Sequence, residues 1–234
     1  MSDTPRAERT REEPRSRAEG AGGATDPPER RKRGRPGYDL DTLLLVAATT
    51  FTERGYDGTS MDDLARRLGI TKSAIYHHVS GKDELLRLAT NRALDGLTTA
   101  VHEASAVQGR AIDRLEHVVR RSVQVLIDEL PFVTLLLRVR GNTPVERRAI
   151  TRRREIDHAI GALVAQAETE GDVRPDVDPA LTARLLFGMV NSLVEWYRPV
   201  RSGAGHADLA EAICKIAFTG LRQGRAAAAV RPLD

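Results

Sequence analysis

Residues 60–79 read Ser60-Met61-Asp62-Asp63-Leu64-Ala65-Arg66-Arg67-Leu68-Gly69-Ile70-Thr71-Lys72-Ser73-Ala74-Ile75-Tyr76-His77-His78-Val79. The first half puts Met61, Leu64, Ala65 and Leu68 at helical spacing on one face. Ser60 with Asp63 resembles a capping box, with Asp in place of the usual Glu or Gln. Gly69 supplies the left-handed residue that helix ends favour, and Thr71 has a hydroxyl suited to cap the next helix. The second half, from Thr71 to Val79, reads as a short helix held to the first by Ile75 and Val79, four residues apart.

Two helices around a short Gly-containing turn form the helix-turn-helix pattern, whose second helix enters the major groove of DNA. With Ile75 and Val79 turned inward, Ser73, Tyr76 and His77 face away, with Lys72 at their edge and His78 on a flank. Core packing does not require polar groups and a phenol on that face. Lys72, Ser73 and His77 have the chemistry to bond base edges, and Thr71, Tyr76 and His78 to reach phosphate oxygens. The competing reading is the solvated helix of an ordinary bundle.

Residues 39–86 resemble the DNA-binding domain of the TetR family of transcriptional regulators. The match includes Ala47, Phe51, Gly55, Tyr56, Thr59, Ser60, Leu64, Ala65, Leu68, Gly69, Ile70, Ile75, Tyr76, His78, Lys82 and Leu85. The spacing Gly-Ile-Thr-x-x-x-Ile-Tyr-x-His-x-x-x-Lys is far more specific than a generic helix-turn-helix. The resemblance implies an all-α fold, with an N-terminal three-helix helix-turn-helix domain and a larger C-terminal helical ligand-binding and dimerisation domain. It implies a homodimer on a pseudo-palindromic double-stranded DNA operator, usually a repressor, released by a small-molecule effector. Carried over by position, Thr71, Tyr76, His78 and Lys82 would hold phosphates, Thr59 and Ser60 would meet the backbone, and Lys72, Ser73 and His77 would read bases.

The balance of the chain fits a protein of this kind. Its 234 residues suffice for one or two domains with real cores. Cys214, the one cysteine, excludes an intrachain disulfide framework and sits in an apolar helical pattern, as a buried inert thiol would. No apolar run approaches a membrane span and no charged-then-apolar start suggests a secretory signal, so the expected location is cytoplasmic, with no membrane partner. There is no His-Glu-x-x-His, P-loop, Gly-x-Ser-x-Gly or dinucleotide fingerprint; no enzyme, cofactor or metal is expected. An architectural DNA-binding protein without an effector is the rival reading.

Residues 1–37 hold ten Lys or Arg against seven Asp or Glu and lack Leu, Ile, Val, Phe and Trp. Such a stretch buries too little to offset ordering entropy and is expected to be a disordered basic arm. Arg33-Gly34-Arg35-Pro36 resembles an AT-hook core, with Arg33 and Arg35 suited to a narrow minor groove; a solubilising tail is the alternative. Residues 38–84, the expected DNA-binding domain, hold five cations against eight acids, a balance of −3. Their grip on DNA must come from placed donors rather than bulk field.

Asp39 is positioned to cap a first helix ending at Gly55, and a long helix follows Ser80-Gly81 from about Lys82 to Ala104. Further helices are expected at about 111–130, 131–139 and 145–170, from Asp178-Pro179 through Tyr197, and from Asp208 to Leu221. Residues 85–224 would form the second domain and 225–234 a frayed tail. Leu185, Gly188, Met189 and Ser192 on one late helix, and Ile213, Ile216 and Gly220 on the other, form narrow stripes with small residues, suited to close packing between two copies. Candidate pocket residues are Phe132, Leu136, Phe187 and Trp196, with ordinary core as the alternative. Residues 138–154 carry seven arginines against Glu146 alone. Arg153 falls on the inward stripe, where it needs a partner, either Glu195 or the anionic part of a ligand. Some regulators of the resembling family respond to acyl-CoA or aromatic-CoA thioesters, which that basic segment would suit.

Overall fold

A computed structural model describes residues 39–198 and 206–221, and all regular structure among them is helical. The order is α1 (Leu40–Arg54), α2 (Met61–Leu68), α3 (Lys72–Tyr76), α4 (Lys82–Ala106), α5 (Ala111–Asp128), α6 (Leu130–Arg138), α7 (Pro144–Thr169), α8 (Pro179–Asn191), α9 (Leu193–Trp196) and α10 (His206–Leu221). No described helix is long and apolar enough to cross a membrane. The arm with Arg33 and Arg35, and the tail 225–234, lie outside the described residues.

Local sequence sets the helix ends. Asp39 Oδ1 accepts the Thr42 amide at 2.7 Å, and α1 stops at Gly55, whose φ of 80° favours glycine. The Ser60–Asp63 capping box forms in full at α2. Gly69 takes φ 68°, and the Ile70 amide reaches back to the Ala65 carbonyl, closing the turn. Thr71 then caps α3 through the Ala74 amide. The helix itself is only five residues long, with His77 as its C-cap, so the nine-residue helix read from the sequence ends in a turn.

Met61, Leu64, Ala65 and Leu68 of α2 and Ile75 and Val79 at α3 are all buried, together with Leu43, Ala47 and Phe51 of α1. Burying a side chain such as Ile75 contributes about 1.5–3 kcal/mol, so the apolar anchors hold the polar face of α3 outward. The core runs without a break from this unit into the remaining helices, through Leu85, Leu86, Ala89 and Leu94 of α4. Helix α6 packs on both α1 and α4, and α4 also packs on α5 and α7.

Polar ties cross the same junction. Arg92 of α4 donates through Nε to Glu129 at 2.7 Å and through Nη1 to Asp41 at 2.8 Å, with its guanidinium 4.7 Å from the Phe132 ring centre. Arg138 of α6 donates to the Thr52 carbonyl of α1 at 3.0 Å. Glu146, buried in the first turn of α7, takes the amides of Arg140, Gly141 and Asn142 on one oxygen at 2.7–3.0 Å. That carboxylate fixes the α6–α7 turn.

A second helix also differs from expectation. The stretch 179–196 is two helices, parted at Ser192, whose hydroxyl donates to the Met189 carbonyl at 2.8 Å. Such back-bonding competes with the helix ladder.

Candidate functional site

The exposed face of the helix-turn-helix carries Thr71, Lys72, Ser73, Tyr76, His77 and His78, while Ile75 between them is fully buried. Tyr76 is 46% exposed, an aromatic body with a polar tip of the kind enriched at interfaces. Lys72 is not free. Its ammonium sits 3.0 Å from Asp62 Oδ2, near the start of α2, and that carboxylate holds the lysine above its ordinary pKa. Ser60 is exposed, but its hydroxyl donates to Asp63 at 2.5 Å. Ser80, which the sequence reading did not single out, gives both its amide and its hydroxyl to Glu84, each at 2.6 Å. Bonds from Ser60 and Ser80 are the chief cause holding the Asp63 and Glu84 carboxyls below the usual range.

Two of the residues expected to hold phosphates already have partners within the chain. Thr59 is 1% exposed and its hydroxyl donates to the Gly55 carbonyl at 2.8 Å, so its side chain closes the α1–α2 turn. Lys82 is half-buried, with its ammonium bonded to the carbonyls of Tyr56 and Thr59 at 2.9 Å each and 4.1 Å from the Tyr56 ring centre. At most one of its three donors is left for DNA. The Tyr56 hydroxyl in turn donates to Asp83, and burial together with that carboxylate pushes the phenol's pKa up.

A second feature is a cavity of about 980 Å³ bounded by α4, α6, α7 and α8. This is at the upper end of small-molecule sites. Leu97, Leu136, Ile160, Ala183 and Phe187 give it apolar walls; Arg153, Arg154, Asp157, His158 and Arg184 give it a polar edge. Asp157 has its carboxyl pushed up by burial, against the pull of Arg153 and Arg184.

Of the residues expected at a pocket, Leu136, Arg153 and Phe187 line this cavity. Phe132 does not; it is core beneath the Arg92 guanidinium. Glu195 and Trp196 are also outside it, exposed on α9 beyond the break at Ser192. Of the two partners expected for Arg153, Glu195 lies on α9 away from the cavity that Arg153 lines, while Asp157, four residues along α7, lines it with Arg153. Several of the other arginines of 138–154 have structural partners. Arg147 donates to the carbonyls of Gly141 and Asn142, and Arg152 to Asn91 and Asp95. Asp157, His158 and Arg184 were missed, although their i, i+4 relation to Arg153, Arg154 and Ala180 places them beside the apolar stripes.

The late helices present an apolar face. Leu181, Leu185, Met189 and Ile216 are 45%, 60%, 37% and 68% exposed. Gly188, Ser192 and Gly220 are exposed with them, and an added Cβ at either glycine would meet nothing within 4 Å. Ile213 departs from the expected stripe: it is 7% exposed and belongs to the chain's own core, beside Cys214 and Ala217. The packing of α10 on α5 turns it inward.

Comparison with known proteins gives concordant matches. Residues 43–89 match the profile of bacterial regulatory proteins of the tetR family, and residues 108–221 match a tetracyclin repressor-like C-terminal domain. The transcriptional repressor KstR2 of Rhodococcus jostii is 30% identical over 75% of this chain and 87% of its own length. A crystal structure of a TetR regulator family member from Streptomyces coelicolor is 58% identical with TM-score 0.73, covering 78% of this chain and 92% of that one. The structure of AibR in complex with isovaleryl coenzyme A and operator DNA is 25% identical with TM-score 0.63, covering 78% of this chain and 97% of that one.

Proposed function

The chain belongs to the TetR family of bacterial transcriptional regulators, which bind DNA and are not enzymes; on that footing we propose that it is a homodimeric repressor of a pseudo-palindromic operator, released by an anionic amphipathic small molecule. The observation that carries the DNA-reading half is the exposed face of α3, polar and aromatic, standing on the buried Ile75 and Val79. Residues 38–84 act as the DNA-binding domain and 85–224 as the effector and dimerisation domain. Lys72, Ser73 and His77 read base edges; Ser60, Thr71, Tyr76 and His78 hold phosphates, with a lesser share for Lys82.

Two copies joined through α8 and α10 would set their α3 helices about one DNA turn apart, roughly 34–36 Å. The exposed Leu181, Leu185, Met189 and Ile216 supply the apolar area for that contact. The cavity is the effector site, with its apolar walls for an acyl or ring portion and Arg153, Arg154 and Arg184 for negative charge. A CoA thioester is the ligand class we favour, in line with isovaleryl coenzyme A in AibR.

Helix α4 runs from Lys82, tied to the turn before α2, to the cavity wall at Leu97. A ligand that binds one inter-helix spacing of the dimer better than another shifts the equilibrium towards it. A coupling of about 1–3 kcal/mol changes DNA affinity about 5- to 150-fold.

The test begins by selecting bound sequences from random DNA and replacing Lys72, Ser73 and His77 together. Loss of the preferred site is the expected result; an unchanged site and affinity would overturn the assignment. CoA thioesters are then compared with their free acids for operator release, and equal effects or none would remove that ligand class.

A further inference from the structure

We propose that Asp62 sets the DNA specificity of this protein by holding Lys72 as an internal ion pair, so that the ammonium is given up only where cognate DNA offers an acceptor in the right place. The proposal rests on the reading of α3 as the DNA-contacting helix.

The two groups are 3.0 Å apart, with side chains 47% and 63% exposed, so the pair stands in solvent on the face that would meet DNA. Asp62 has no part in capping α2, which Ser60 and Asp63 accomplish without it. No other described hydrogen bond or ion pair reaches the Asp62 carboxylate. That distinguishes it from the other acids beside donors on this rim. Asp63 bonds the Ser60 amide as well as its hydroxyl, and Glu84 does the same at Ser80, so both shape the backbone. Among the described residues, the Asp62 carboxylate bonds only the lysine.

Sequence-independent DNA binding is driven by cations that neutralise phosphates and release counterions. A lysine already neutralised by its own carboxylate adds nothing net to that term, and a carboxylate left behind repels phosphate. The pair therefore lowers the yield from an arbitrary backbone. A guanine edge or a well-placed phosphate offers directional acceptors that replace the carboxylate. Residues 38–84 carry five cations against eight acids, so removing Lys72 from the non-specific account matters more than it would on a basic surface.

The experiment measures binding of the full chain, and of Asp62→Asn, to the selected operator and to a scrambled duplex of equal length across a salt series. With Asp62→Asn we expect the scrambled duplex to bind about two- to five-fold more tightly, its log–log salt slope to steepen by up to about 0.9, and the operator-to-scrambled ratio to fall. Asp62→Ser, which keeps a helix-compatible polar group, should do the same. Adding Lys72→Met to Asp62→Asn should abolish the gain. An unchanged scrambled affinity and slope, a loss confined to the operator, or a gain that survives Lys72→Met would each overturn the proposal. A wild-type protein indifferent between the two duplexes would instead remove the DNA-reading role on which it stands.

Discussion

Lys82 and Tyr56 are joined twice: the ammonium lies over the phenol ring at 4.1 Å and donates to the Tyr56 carbonyl at 2.9 Å. The first residue of α4 is thereby fastened to the turn that presents α2, with the Thr59 carbonyl as a second anchor. A rotation of α4 about its own start must carry the helix-turn-helix with it or break these bonds.

Lys82→Met should therefore act first on stability. It removes two bonds from a charged donor and strips the Thr59 carbonyl of its ammonium, while the Tyr56 carbonyl keeps the Thr59 amide, a loss of about 1–3 kcal/mol. Urea denaturation of the variant checks this. A stability equal to wild type would reduce Lys82 to the phosphate ligand that its sequence position suggests.

Two glycines inside helices should respond oppositely to alanine. At Gly161 on the cavity wall an added Cβ meets nothing within 4 Å, so Gly161→Ala should stabilise by about 0.5–1 kcal/mol through helix propensity. At Gly96 the Cβ would fall 2.8 Å from Val125 Cγ1, where α4 and α5 meet. Overpacking there should cost about 1–3 kcal/mol, and much less in a Val125→Ala background. Denaturation of the four variants decides it.

Asp157→Asn should raise stability at neutral pH. The residue is exposed on α7, but its carboxyl at the cavity edge is partly desolvated and so held above its ordinary value of 3.8, and the folded chain binds the proton more tightly than the unfolded one. Stability from this group is thus greatest below the ordinary value and declines as pH rises through the higher folded value. The variant removes that decline, so its advantage over wild type should be present at pH 7 and vanish in acid below the ordinary carboxyl range. Paired denaturation curves at the two pH values give the answer; a variant less stable at pH 7 would show that Arg153 and Arg184 outweigh burial.

The exposed face of α8 and α10 predicts the assembly. Leu185→Glu combined with Ile216→Glu places two charges where apolar contact is proposed, each side chain contributing about 1.5–3 kcal/mol if fully buried. Sedimentation should show monomers, and operator binding should weaken with the loss of paired half-sites. A dimer that persists would place the interface elsewhere.

Cys214 should be silent in the folded state. It is 2% exposed and burial raises its thiol to about 11, so little thiolate exists at pH 8. Thiol-specific reagents should label it at the rate of unfolding, with urea accelerating the reaction.

The same division runs through fold and site. Asp39, Ser60, Thr71 and Asp178 cap their helices as read from the sequence, because each cap bonds an amide three residues ahead. Ile75 and Val79 were legible as anchors because spacing along one helix puts them on one face. The seven arginines near the start of α7 were legible as a cluster, but not their separate fates: Arg138 goes to α1 and Arg152 to α4.

The sequence alone determined the helical fold, the helix-turn-helix, the outward face of α3 and the exposed stripe of α8, since these follow from short-range spacing and from the residue types at helix ends. Only the tertiary structure decided that Thr59 is buried, that Lys82 spends its donors on residues 26 and 23 positions away, that Ile213 is core, and that Asp157 rather than Glu195 lines the cavity with Arg153. Each of those outcomes depends on which helix packs against which, and a side chain's free partners are known only after that packing has claimed the others.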